Sequence, residues 1–144
     1  MSSNYNEPIT FGATGSALRL NCVGIDFSDN TPRSWTTDTL VQLDLRLPPT
    51  RDDVTIEINT DAYITDEVPQ HQVFAYLGGA FVGFWRVRRY GKLSARINRT
   101  LFTGRPAILA LALPNAESPY TLGLGDDRRE LGLHLETITF RLGQ

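Results

Sequence analysis

The sequence holds one cysteine, two histidines and no long apolar run, and each scarcity removes a class of protein. A lone cysteine, Cys22, cannot form an internal disulfide or a cysteine-rich zinc site. It lies in the apolar phase of "ALRLNCVGIDF" and reads as a small core residue. His71 and His134 are far apart in sequence and show no metal-ligand spacing. The longest apolar run, Ala107 to Leu113, falls well short of the roughly 20 residues of a membrane-spanning helix, so no membrane insertion is expected. The opening "MSSNYNEPITFG" has no basic region followed by an apolar core, so it does not read as a secretory signal. A cytoplasmic location is the expectation. Net charge is −2, from 14 basic and 16 acidic residues, which gives no general pull toward nucleic acid.

Catalytic signatures are scarce as well. No G-x-S-x-G occurs, and "FGATGS" at 11–16 lacks the lysine, the preceding strand and the following helix of a phosphate loop. The 16 acids include none in a context that marks a glycosidase pair. No catalytic residue is assigned, and the chain is not expected to be an enzyme.

What is abundant is alternation with period two. "TLVQLDLRL" puts Val41, Leu43, Leu45 and Leu47 on one face and Gln42, Asp44 and Arg46 on the other, and Pro48-Pro49 ends the run. "DVTIEIN" repeats the pattern with Val54, Ile56 and Ile58 inward. Gly78-Gly79 between two β-rich runs is a hairpin signal, because glycine accepts the positive φ of a tight turn. "KLSARIN" offers a further strand, and "PAILALAL", apolar on both phases, predicts a central strand covered on both sides. "ALRLNCVGIDF" holds one strand, or two broken near Gly24. In the last strand Leu131, Leu133 and Leu135 share one phase while Ile138, Phe140 and Leu142 share the other. An extra residue near Glu136-Thr137, a β-bulge, would put both sets on one face. About eight strands predict an all-β, antiparallel two-sheet sandwich of jelly-roll type. Residues 1–10 are expected to be flexible and 11–144 to form one domain. A short helical turn is expected at "DEVPQ" or "DDRREL".

Candidate site residues sit in "HQVFAYLGGAFVGFWRVRRY". If Val73, Ala75 and Leu77 face the core, Gln72, Phe74 and Tyr76 face outward. Rings on an open sheet face stack on sugars, and Gln and Arg bind hydroxyls. Trp35, Gln72, Phe74, Tyr76, Trp85, Arg86 and Arg88 form the candidate ligand set. The bland reading places the same rings in the core or a subunit contact. The run Arg86, Arg88, Arg89 and Lys92 reads as a protected strand edge, or as a site for an acidic glycan or phosphate. A structural calcium would find oxygen ligands at Asn59, Asp61, Asp66 and Glu67, in a loop without the EF-hand order; no other cofactor is expected. The charged knot 126–131, flanked by glycines, reads as a clasp before the last strand, with Asp126, Asp127, Arg128 and Gly132 as its parts.

The order of these segments also carries a resemblance. "TPRSWTTDTLVQLDLRL", with Trp35 before a major strand, is followed by paired strands around a glycine turn. The chain closes with Ser118, Pro119, Leu122, Gly123, Asp126, Arg128, Leu131, Gly132, Leu133 and Leu135. Over residues 18–142 this resembles the small β-sandwich domains of bacterial sugar-polymer proteins, often appended to glycosyltransferases of surface-polysaccharide assembly. The resemblance implies a carbohydrate-binding domain that works with polysaccharide or glycosyltransfer machinery. A structural or assembly subunit, whose sheet face packs on a second copy or a partner, is the alternative. A sandwich-type glycoside hydrolase is the third.

Overall fold

The computed structural model describes residues 3–143, and its strands form two antiparallel sheets. In chain order the strands are β1 (Ile9–Thr10), β2 (Cys22–Val23), β3 (Ile25–Asp26), β4 (Ser34–Thr36), β5 (Leu40–Leu45) and β6 (Val54–Ala62). They continue with β7 (His71–Leu77), β8 (Ala80–Val87), β9 (Gly91–Ile97), β10 (Ala107–Ala112) and β11 (Leu133–Leu142). One sheet has the order β3-β4-β11-β6-β9, with β1 also pairing β11; the other runs β2-β5-β10-β7-β8. The all-β sandwich expected from the alternation is therefore the architecture.

Period two explains the core. Val54, Ile56 and Ile58 of β6 and Val41, Leu43 and Leu45 of β5 are almost fully buried, and they face each other across the sandwich with Val73, Leu109, Leu111 and Leu135. The two phases of the last strand are reconciled by a bulge. Leu135 pairs with Thr60 and Thr137 with Asn59, which leaves Glu136 without an opposite residue, so Leu133, Leu135, Ile138 and Phe140 are all buried. The hairpin turns at Gly78 and Gly79, with φ of 57° and 85°. The early segment is two strands, and they belong to different sheets. Gly24, at φ 81°, is the crossing point, where a side chain would run into the Leu40 carbonyl at 2.7 Å. Cys22 is part-buried against the core, and burial pushes its thiol up to about 11.

Three expectations are corrected. Residues 3–10 are tied to the sandwich: Ser3 N donates to Arg46 O, Asn6 N donates to Phe140 O, and Ile9 is buried opposite Ile138. Met1 and Ser2 lie outside the described residues. The helical turns are not at "DEVPQ" or "DDRREL" but are 3₁₀ turns at Ser16–Arg19 and Arg99–Leu101. In the second, the Asn98 side chain accepts from Thr100 N. Finally, β10 is central in its sheet but covered on one side only. Leu109 and Leu111 are buried, whereas Ile108 on the other phase is 45% exposed.

Candidate functional site

The uncovered side of β10 belongs to a sheet face that gathers part of the candidate set. Cross-strand partners share a face, so the pairings give its rows. One row is Val23, Gln42, Ala110, Tyr76 and Phe81; the next is Leu40, Ala112, Phe74 and Phe84. Gln72 and Arg86 pair at one end, and Asp44 and Ile108 at the other. Between Gln42 and Leu40 on one side and Tyr76 and Phe74 on the other, the central strand presents the methyl groups of Ala110 and Ala112, with Ile108 at the Asp44 end. The result is a shallow apolar trough with an aromatic wall.

The wall is a packed unit. The Phe74 and Phe84 rings lie 4.8 Å apart, and Tyr76 meets Phe81 edge-on at 5.8 Å. The Arg86 guanidinium lies 5.3 Å from the Phe84 centroid. Arg88 Nε donates to Gln70 Oε1 at 3.1 Å. Phe81 is 59% exposed and Phe84 36%, so both rings present area to solvent. A second bulge makes this arrangement. Ala75 pairs with Gly83 and Tyr76 with Phe81, so Val82 is an extra residue and the odd-spaced Phe81 and Phe84 reach the same face.

Trp85 is not on that face. It pairs with the buried Val73 and points inward, and its indole Nε1 donates to Ser94 O of β9 at 3.0 Å. The ring lies over Gly83, where a Cβ would meet it at 2.8 Å. Trp85 thus ties the edges of the two sheets together. Trp35 lies on the outer face of the opposite sheet. It stacks on His134 at 4.1 Å and meets Tyr63 edge-on at 6.0 Å. Arg33 lies 3.7 Å from both Asp61 and Glu136 and 4.6 Å from the Tyr90 centroid, and Tyr90 donates to Glu136. His134 Nε2 lies 3.5 Å from an Asp29 carboxylate oxygen, and burial lowers its pKa. Arg33, Asp61, Glu136 and Tyr90 are paired with one another there, whereas His134 Nε2 is buried without a hydrogen-bond partner. Of the candidate ligand set, Gln72, Phe74, Tyr76 and Arg86 come together, with Arg88 just beyond them; Trp35 and Trp85 do not join them.

The four calcium candidates are not gathered either. Asn59 Nδ2 donates to Thr137 Oγ1, the Asp61 carboxylate accepts from Ala62 N and faces Arg33, and Asp66 and Glu67 follow in an exposed loop. Among the described residues no group of three or more His, Cys, Asp or Glu side chains is placed to hold a metal ion.

The charged knot is organised by Arg129 rather than Arg128. Arg129 grips Asp127 through Nε at 3.1 Å and Nη2 at 2.7 Å, and reaches Asp26 of β3 through Nη1 at 2.9 Å. Asp127 also accepts from Arg129 N, and these bonds hold its carboxyl below the usual range. The Asp26 carboxyl is lowered by Ser28 first and then by Arg129. Arg128 instead covers the Tyr120 ring at 3.8 Å, and Asp126 is exposed. Gly132 is buried without a positive φ. A Cβ there would meet Leu113 Cδ1 at 3.0 Å and Thr36 Oγ1 at 3.1 Å, and that hydroxyl is occupied accepting from Leu133 N.

No protein-family model matches the chain, and no curated protein matches it. Solved structures match its fold. The CBM36-1 domain of a multidomain xylanase, from the hindgut metagenome of Trinervitermes trinervoides, superposes with a TM-score of 0.57 at 8% identity, covering 96% of this chain and 98% of that one. A carbohydrate-binding module CBM36 in complex with calcium and xylotriose gives 0.54 at 12% identity over 93% and 98%. The mosquito-larvicidal Cry4Aa toxin of Bacillus thuringiensis gives 0.59 at 8% identity, over 99% of this chain and 25% of the toxin. The fold is thus that of β-sandwich carbohydrate-binding modules, and it also occurs as part of a toxin.

Proposed function

We propose that this chain is a non-catalytic carbohydrate-binding domain whose site is the outer face of the sheet β2-β5-β10-β7-β8. The observation that carries this reading is the exposed aromatic wall Phe74, Phe84, Tyr76 and Phe81 beside the Ala110 and Ala112 floor, with Gln42, Gln72 and Arg86 at its margins. Ring faces suit the apolar faces of sugars, and the amides and guanidinium suit their hydroxyls. A long, shallow, preformed face suits an extended chain rather than a small molecule. The likeness to carbohydrate-binding modules supports the reading at the level of fold. The resemblance in the closing segment adds the proposal that the domain acts in the cytoplasm beside a glycosyltransferase of polysaccharide assembly. Calorimetry against a panel of soluble polysaccharides tests the binding. Phe84→Ala and Tyr76→Ala each weaken it about tenfold, close to the worth of one aromatic contact. An absence of binding to every polymer at millimolar sugar overturns the proposal.

A second reading rests on the exposed apolar side chains Val23, Leu40, Ile108 and Phe81 on the same face. A partner protein or a second copy would cover them. Light scattering separates the two: a stable oligomer that loses its interface on Phe81→Ser, with no sugar affinity, supports this one.

A further inference from the structure

Resting on that carbohydrate reading, we infer that the polymer is acidic and that its carboxylate groups are met at the β7–β8 end of the trough by Arg86 and Arg88. Of the 14 cations of this chain, five are paired and nine have no carboxylate partner among the described residues. Arg33, Lys92, Arg96, Arg129 and Arg141 each lie within bonding reach of a carboxylate. Three of the nine, Arg86, Arg88 and Arg89, lie within four residues at one corner, all exposed. What sets these three apart in a chain of net charge −2 is their clustering beside the aromatic wall.

Their placement continues the aromatic wall. Tyr76 and Phe81 are followed along the hairpin by Phe74 and Phe84, then by Gln72 and Arg86, then by Gln70 and Arg88. From residue 76 to residue 70 an extended strand covers about 20 Å, enough for several sugar rings in a row. Two guanidinium groups are already oriented, Arg86 over the Phe84 ring and Arg88 by Gln70. Each leaves N–H donors free for the fork geometry that fits a carboxylate. At the opposite end of the face stands Asp44, opposite Ile108. The net charge of −2 gives no general pull toward a phosphate backbone, which favours a sugar polymer carrying carboxylates over a nucleic acid.

Arginines at the end of β8 also have a simpler explanation, since β8 is the edge strand of its sheet and charge discourages edge pairing. The test separates the two. Binding of polygalacturonate, of its methyl-esterified form, of a neutral β-glucan and of a single-stranded oligonucleotide is measured by calorimetry at low and high salt. The inference expects polygalacturonate to bind at least about tenfold more tightly than its ester at low salt, with the advantage shrinking as salt screens the contact. The double variant Arg86→Gln, Arg88→Gln loses about tenfold to a hundredfold for polygalacturonate and far less for the ester, so the preference for acid over ester disappears, while Phe84→Ala weakens both and leaves the preference in place. Equal affinity for acid and ester, neutral glucan as the only ligand, or tighter binding of the oligonucleotide overturns the inference. A double variant that self-associates with unchanged polygalacturonate affinity overturns it in favour of edge protection. Failure of all the polymers to bind overturns the carbohydrate reading itself.

Discussion

Trp85 and Phe84 are neighbours in sequence, yet the structure gives them opposite duties, and their alanine variants should separate cleanly. Trp85→Ala removes an indole that packs against the core, lies over Gly83 and donates to Ser94 O at 3.0 Å. The ring is partly buried, so roughly 100 Å² of apolar surface returns to water, about 2.5 kcal/mol at 25 cal/mol per Å². The lost hydrogen bond adds about 1 kcal/mol. The sum, about 3.5 kcal/mol, should lower Tm by roughly 7–14 °C in a chain of this size. Trp85→Phe keeps most of the ring and should cost about 1 kcal/mol. Phe84→Ala, on the open face, should leave Tm nearly unchanged and weaken polysaccharide binding. Thermal unfolding followed by circular dichroism, with calorimetric binding well below Tm, reads both quantities. If Trp85→Ala melts with the wild type and abolishes binding, the indole faces the ligand and the inward assignment is wrong.

Arg129→Ala should lower Tm at neutral pH, whereas Arg128→Ala should leave it nearly unchanged, because only Arg129 joins Asp127 to Asp26. Both carboxyls are lowered in the fold, so this stabilisation is present above the unfolded carboxylate pKa near 3.9 and is lost as pH falls through the lower folded values. The Tm difference between wild type and Arg129→Ala should therefore close in acid. His71 is fully buried, with Nε2 bonded to Tyr63 O at 2.6 Å and Nδ1 without a partner, and burial lowers its pKa from 6.5. The fold should hold full stability above about pH 6.5 and lose it as pH falls toward the folded pKa, a slope that His71→Gln should reduce in a pH series of melts. Gly132→Val should cost about 1–3 kcal/mol in denaturant unfolding through contact with Leu113 and Thr36.

Strand identity, the Gly78-Gly79 hairpin and the bulge at Glu136 follow from local pattern alone. Alternation marks which residues share a face, and two phases of large aliphatic residues in one strand demand an extra residue between them. The outward set Gln72, Phe74 and Tyr76 was legible for the same reason, since β7 alternates without interruption. Its partner β8 is apolar on both phases, so its pattern carries no signal for the Val82 bulge that brings Phe81 and Phe84 together. Nor does it show which way Trp85 points; the proximity of Gly83 and Ser94 does. Trp35 was misgrouped because a period of two says nothing about which sheet a strand joins. That is decided at Gly24, where the chain crosses from one sheet to the other, and by pairing β4 with β11 far along the sequence. In the knot, Arg128 and Arg129 are chemically alike. Only Asp26, brought close by the β3–β4 pairing, selects between them. Face and strand are local properties of this chain; sheet membership, and with it the composition of the site, belongs to contacts between residues distant in sequence.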